Sequence, residues 1–250
     1  MTDANAVIDD VLATVDRLRI ETGPDAEGRR QWLGCHRLLT DADRLGAVVR
    51  AIAAGRGVDE LAALSVFVQG YAFRMASVAI GSFVISGDVV SVDPERTSLA
   101  IERFRPSAVW LEDVGLVTAD GDPTVLHREL VDGHLAPLVD AARAVARVGR
   151  PLLWANIGSA CAESFEAFVG PSAPDAGRIR GLAETFFATA RPELARSGRL
   201  ARIGDRHRWA WERKACCLWY RTEVSGGVRC GDCSLWTDAE RQARYAERDR

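Results

Sequence analysis

Apolar positions recur at helical spacing from the start of the chain. Val7, Ile8, Val11, Leu12, Val15 and Leu18 fall on one face, with Asp9, Asp10 and Asp16 on the others, the pattern of an amphipathic helix. Gly23-Pro24 closes this segment. A second helix is expected over about 41–54, broken by the glycines at 55 and 57, after which Asp59 opens a long buried helix through Arg74. Residues 61–87 form the most apolar stretch and are long enough to raise a membrane span. Gln69 and Arg74 interrupt it near its middle, and a charge at mid-bilayer costs roughly 2.5–3.5 kcal/mol on insertion scales. The pattern therefore predicts a buried helix and no transmembrane segment.

After Gly87 the periodicity changes. Residues 89–92, 99–104 and 108–112 are β-branched or alternating and predict two or three short strands. Helical spacing returns over 125–131, 134–148, 157–169 and 179–191. The expected fold is α+β and predominantly helical: a helical body with a small inserted antiparallel sheet, followed by a cysteine-rich segment. A boundary near 198–205 divides a body of residues 1–204 from a C-terminal segment of residues 205–250. Thr237-Asp238-Ala239-Glu240 reads as a capping box and predicts a terminal helix directly after the last cysteine.

Composition narrows the setting. A chain of 250 residues, 48% hydrophobic, can bury a substantial core without help from a metal. The first residues show no basic n-region or apolar signal core, and six cysteines in so long a chain fit a reducing cytoplasm better than a disulfide scaffold. The formal net charge is -3, yet residues 191–250 carry 14 Lys/Arg against 9 Asp/Glu. That local excess is far below a nucleic-acid footprint, and it suits an anionic group or an acidic partner.

Four of the six cysteines, Cys216, Cys217, Cys230 and Cys233, crowd into one short stretch. Thiolates bind zinc and iron–sulfur clusters alike. Structural zinc sites usually pair two C-x-x-C knuckles, whereas this chain offers one, with the other two cysteines directly adjacent. A two-iron cluster spreads its ligands over two metals, which suits adjacent cysteines better than a single tetrahedral ion. Both centres remain open on spacing alone. Gly226, Gly227 and Gly231 let the backbone approach sulfur or simply form a turn, and Trp209, Trp211, Trp219, Tyr220 and Trp236 flank the motif as shielding or as packing.

The stretch Arg213-Lys214-Ala215-Cys216-Cys217-Leu218-Trp219-Tyr220-Arg221, with Val228-Arg229-Cys230-Gly231-Asp232-Cys233-Ser234-Leu235, resembles the C-terminal motif of the FhuF-like ferric siderophore reductases. That pattern is a C-C pair, a spacer of about ten residues and C-x-x-C; the spacer here, 218–229, is slightly longer. Weaker similarities lie at Val68-Gln69-Gly70-Tyr71-Ala72-Phe73-Arg74, and at His134-Leu135-Ala136-Pro137-Leu138 leading to Leu153-Trp154-Ala155-Asn156-Ile157-Gly158-Ser159-Ala160. The latter resembles Leu-Trp-Gly-Asn-x-Ala-Ser, from which Ala155 and Gly158 depart. The resemblance implies a [2Fe–2S] cluster held by Cys216, Cys217, Cys230 and Cys233, delivering one electron to a ferric siderophore in the cytoplasm. The alternative is a zinc-stabilised siderophore-binding or interaction module without redox activity.

With no G-x-G-x-x-G turn after a strand, the chain offers no nicotinamide or flavin site. An external electron donor, a ferredoxin or a flavin reductase, is then implied. Arg74, Trp154 and Asn156 are candidate substrate-binding residues, Arg74 because a charge within an apolar run must pair or face a cavity. Cys35 and Cys161 are expected to be buried thiols, Cys161 at a helix start. His36, His127, His134 and His207 show no metal-binding spacing, and His207 is the one nearest the cysteines.

Overall fold

The N-terminal amphipathic stretch folds as α1 (Ala4–Thr14), capped by Asp3 and burying Val7, Ile8 and Val11. These details come from a computed structural model that describes residues 3–15, 18–23, 31–169, 176–203 and 208–248. His207 and the expected boundary at 204/205 lie outside the described residues. Strands β1 (Ile20–Thr22) and β2 (Trp32–Gly34) follow, then α2 (Cys35–Thr40), α3 (Ala42–Arg56) and α4 (Glu60–Ser86).

Helix α4 organises the body. Asp59 caps its first turn by accepting from the Ala62 amide at 3.0 Å, and Gly87, at φ 79°, ends it in the left-handed conformation that glycine tolerates. It extends past the expected Arg74 because residues 75–84 are all buried. By length and composition it is apolar enough to cross a membrane, yet 72% of its most apolar window is buried inside the protein. It is a core helix, packed against α1, α3, the sheet and α7 (Arg150–Glu166). The Ser77 and Ser164 hydroxyls meet across the α4–α7 seam at 3.2 Å.

Strands β3 (Val89–Val90), β4 (Thr97–Glu102) and β5 (Arg105–Leu111) overlap the three alternating stretches, and β6 (Leu116–Val117) is an additional short strand. The main sheet has the order β1-β5-β4-β2, and β3 pairs with β6 separately. The sheet is not wholly antiparallel, because β1 joins β5 in parallel. Each of β1 and β2 is only three residues long, too short for alternation to register.

Helix α5 (Pro123–Leu126) leads into a nine-residue π-helix, His127–Leu135, and then α6 (Ala136–Val145). Beyond α7 come α8 (Ala176–Thr189), α9 (Pro192–Ala195) and the antiparallel hairpin β7 (Gly198–Ile203) with β8 (Arg208–Arg213). Helix α10 (Asp238–Arg248) begins at the expected capping box: Thr237 Oγ1 accepts from the Glu240 amide at 3.3 Å, and Glu240 accepts from the Thr237 amide at 2.8 Å. It is more than a solvated end, since Tyr245 is buried and donates to Glu212 on β8 at 3.0 Å. The fold is α+β and predominantly helical, as the sequence predicts.

Candidate metal centre

Strand β8 delivers Arg213 to the core, and the chain then leaves the hairpin through Cys216 and Cys217. The spacer folds back on itself. Leu218 adopts φ 62°, two short 3-10 turns follow at Trp219–Arg221 and Glu223–Ser225, and Gly226 and Gly227 take φ 56° and 80°. The longer spacer is thereby absorbed as compact turns, pinned to the start of α4 by Arg221 and Asp59 at 2.5 Å. Cys217 Sγ comes to 3.3 Å from Cys230 Sγ, and Cys216 lies beside Cys233. Among the described residues, no three His, Cys, Asp or Glu side chains gather around one point for a single ion. The thiols meet as two pairs.

Backbone donors serve the sulfurs. The Leu218 amide lies 3.4 Å from Cys216 Sγ, and the Leu235 amide 3.5 Å from Cys233 Sγ; the Trp219 amide serves Cys217. These donors come two residues after each cysteine, not from the glycines. The hydrogen bond between the Cys217 and Cys230 sulfurs, with help from Arg213, lowers the Cys217 pKa to about 6, and the same hydrogen bond with burial raises Cys230. Burial raises Cys216.

Beneath the sulfurs lies a buried polar network that the sequence did not reveal. Arg213, whose side chain is 0% exposed, donates through Nε to Asp232 Oδ2 at 2.8 Å and through Nη1 to Asn156 Oδ1 at 2.9 Å. Its Nη2 lies 2.8 Å from the same carboxylate oxygen but makes no hydrogen bond. Burial opposes the Arg213 charge, yet Asp232, Cys217 and Cys230 together raise its pKa. Asp232 is held below the usual carboxylate range in spite of burial, by Arg213 and by the Ser159 hydroxyl, which donates to it. Asn156 Nδ2 donates to Ser65 O and Oγ at 2.8 and 2.9 Å, and Ser65 Oγ donates to the Cys217 carbonyl at 2.7 Å. Asn156 and Ser159, three apart on α7, face the same way. The cysteine segment is thus tied to both central helices.

Two cavities reach Cys230. One, of about 370 Å³, is lined by Arg56, Arg74, Arg105, Glu163, Trp219 and Cys230 among others. The second, of about 470 Å³, meets Cys230 and Asp232 beside Trp209, Trp211 and Tyr245. Of the candidate substrate residues, Arg74 lines the first cavity, its Nε 3.4 Å from the Pro106 carbonyl. Trp154 lines a separate apolar cavity under Arg191, which stacks 5.0 Å from its ring. Asn156 is fully buried and engaged with Ser65 and Arg213.

The residues from Ser65 to Glu212 match the family described as ferric iron reductase FhuF-like transporter. This covers more than half of the chain. The chain belongs to the FhuF-like ferric iron reductase family. No individual curated protein matches it. The FhuF-like match takes in most of α4, strands β3 to β6 and α7, with Ser65, Arg74, Asn156 and Ser159; it leaves out β1 and β2 and ends at Glu212, directly before Arg213 and four residues before Cys216. A donor set of four thiols is what an iron–sulfur centre requires.

The flanking aromatics divide between two roles. Trp209 and Trp211 are core residues, Trp219 walls the first cavity, and Trp236 donates to the Cys230 carbonyl at 2.9 Å. Tyr220 is exposed. Cys35 and Cys161 are buried, as expected. Cys161 is not at a helix start but in the second half of α7, where burial raises its pKa.

Proposed function

We propose that this protein is a cytoplasmic ferric-siderophore reductase whose Cys216, Cys217, Cys230 and Cys233 hold a [2Fe–2S] cluster, with one electron delivered to the bound Fe(III)-siderophore to release Fe(II). Residues 205–250 supply the ligands and residues 1–204 the body against which they are held. The observation that carries the reading is the pairing of the four thiols, with Cys217 and Cys230 at 3.3 Å, over the buried guanidinium of Arg213, which is ion-paired with Asp232 at 2.8 Å. A buried cation whose pKa is raised by Asp232 and also by Cys217 and Cys230 fits a site that gathers negative charge on sulfur.

When bound, such a cluster supplies electrons one at a time. The chain's own residues do the rest. Arg213 offsets anionic charge at the sulfurs, and the amides of Leu218, Trp219 and Leu235 stabilise it further, which favours the reduced state. Asp232 limits that effect by neutralising most of the Arg213 charge. Ser65 and Asn156 fix the Cys217 backbone so that the ligand loop keeps its shape between oxidation states. Cys230, the ligand that reaches the cavities, is the side from which a chelate is approached. Hydroxamate and catecholate oxygens are hard donors that hold ferric iron far more tightly than ferrous iron. Reduction therefore loosens the metal without breaking the chelator. The electron is returned by an external ferredoxin or flavin reductase.

Anaerobic purification followed by metal and acid-labile sulfide analysis tests the assignment. It predicts two irons and two sulfides per chain and their loss when Cys217 or Cys230 is replaced by Ser. One zinc per chain without sulfide overturns it in favour of a zinc-stabilised binding module.

A further inference from the structure

The cavity of about 370 Å³ beside Cys230 lies within the ~300–1,000 Å³ range of small-molecule sites. Its lining is one-sided in charge. Arg56 comes from the end of α3, Arg74 from α4 and Arg105 from β5, and these three face one lining carboxylate, Glu163. Arg56 is only 8% exposed. Its Nε donates to the Phe104 carbonyl at 2.8 Å, while its Nη1 is buried without a hydrogen-bond partner. A buried guanidinium edge left unpaired is expensive, and burial together with the like charge of Arg105 lowers the Arg56 pKa. An anion entering the cavity offsets the like charges of Arg56 and Arg105.

The backbone that builds this lining is strained. Arg103 and Phe104, joining β4 to β5, have φ 48° and 59° with no glycine at either position. Such a two-residue turn normally draws on Asn or Gly, and each unfavourable residue costs on the order of 1 kcal/mol or more. The turn presses the Phe104 ring onto Gly55, where a Cβ would lie 2.2 Å from it. The Phe104 carbonyl is thereby set on Arg56, and Arg105 follows directly into the cavity. Trp219 and Cys230 also line this cavity, so an aromatic side chain is at hand for an aromatic or planar ligand.

We infer that this cavity seats the iron chelate and selects chelates of net negative charge, the tris-catecholates and hydroxycarboxylates, over neutral trihydroxamates. The inference rests on the reductase reading above and names its substrate class. Three catecholates carry twice the charge needed to neutralise ferric iron, whereas three hydroxamates just balance it, so only the former leave charge for the arginines. Guanidinium groups match carboxylate and phenolate oxygens in planar, two-point geometry.

Gallium(III) chelates test this without electron transfer, because gallium is not reduced under these conditions. The full chain, cluster-loaded as purified, is titrated with Ga(III) tris-catecholate, Ga(III) citrate and a neutral Ga(III) trihydroxamate, and binding is followed by calorimetry. Either anionic chelate is expected to bind at least ~10-fold more tightly than the neutral one, a preference that shrinks as salt rises. Arg105→Gln, at an exposed position, is expected to weaken the anionic chelate about tenfold and leave the neutral one unchanged. Arg56→Gln should do the same, with its melting temperature recorded to confirm folding. Equal affinity for the two classes, or an equal loss for both in Arg105→Gln, overturns the inference. Charge-selective binding without reduction of the ferric forms would retain this site and remove the redox reading. Reduction without charge selectivity would do the reverse.

Discussion

Asp232 sits between Cys230 and Cys233 in the sequence, and its carboxylate is engaged by Arg213, Ser159 and the Cys230 side chain. Removing one partner of a buried ion pair leaves a charge in a poorly solvated place, at about 3–5 kcal/mol. Asp232→Asn is therefore expected to lower thermal stability by that order, read by circular dichroism melting. It should also raise the reduction potential of the centre, because the Arg213 charge is no longer offset. An unchanged potential would detach Arg213 from the centre's electrostatics. At this scale the four cysteines were legible because thiols crowded into one stretch have few uses. Arg213 and Asp232 were visible as letters of the motif but not as a pair, Asn156 was singled out as a substrate-binding candidate and not as a partner of Arg213, and Ser65 was not singled out at all. Their contacts join positions 91 and 152 residues apart, and no local pattern encodes such a meeting.

The elements obey the periodicity rules where one face alone is buried. Helix α4 is a membrane candidate by length and hydropathy; Gln69 and Arg74 already pointed to a buried helix, and the packing of α7, α1 and the sheet agrees. Its neighbour α7 carries Gly158 where the hairpin closes: a Cβ there would lie 2.4 Å from Ser197 Oγ and 2.8 Å from the Trp211 ring. Gly158→Ala gains about 1 kcal/mol of helix propensity but overpacks at roughly 1–3 kcal/mol. Ser197 can rotate; Trp211, stacked 4.3 Å from Phe187, cannot. The expected result is a net loss of stability of about 1 kcal/mol with a changed tryptophan spectrum. The Ala155 and Gly158 departures from the family pattern thus have a local reason at one of the two positions.

The π-helix at His127–Leu135 could not be read from the sequence, since its wider turn differs from an α-helix only in which carbonyl each amide finds. It carries His134 into the core. There Nδ1 donates to the Val92 carbonyl and Nε2 accepts from the Tyr71 hydroxyl at 2.6 Å. Burial lowers the His134 pKa from 6.5 to about 4. The folded state therefore binds this proton less readily than the unfolded chain. The stability gained from the neutral ring is complete above about pH 6.5 and is lost as pH falls towards 4, on the order of 3 kcal/mol in all. Urea unfolding across this range should show that loss in the native protein and a flatter profile in His134→Gln. Parallel profiles would contradict it.

Over the whole molecule, charge is distributed with a direction. The cavity of about 370 Å³ brings three arginines and Glu163 to Cys230, whereas the larger cavity, which shares Cys230 and Glu163, adds Glu166, Asp232 and Glu247 with Arg244. The sequence showed only that the C-terminal stretch is more basic than the rest; the three arginines of the first cavity all come from the body, so the asymmetry at the site arises from folding. The predominantly helical α+β class was readable because long helices repeat one pattern many times. The parallel β1–β5 pairing was not, because it depends on three residues meeting a strand almost ninety positions away. The family match spans residues 65–212 and stops short of the four cysteines. In the proposed reaction an electron held at these cysteines reaches ferric iron in a chelate. Anaerobically reduced protein is mixed by stopped flow with a ferric siderophore and a ferrous-iron trap. Reoxidation of the cysteine-bound centre with one ferrous iron trapped per electron lost is the expected result. A centre that stays reduced while the ferric chelate remains intact would contradict it.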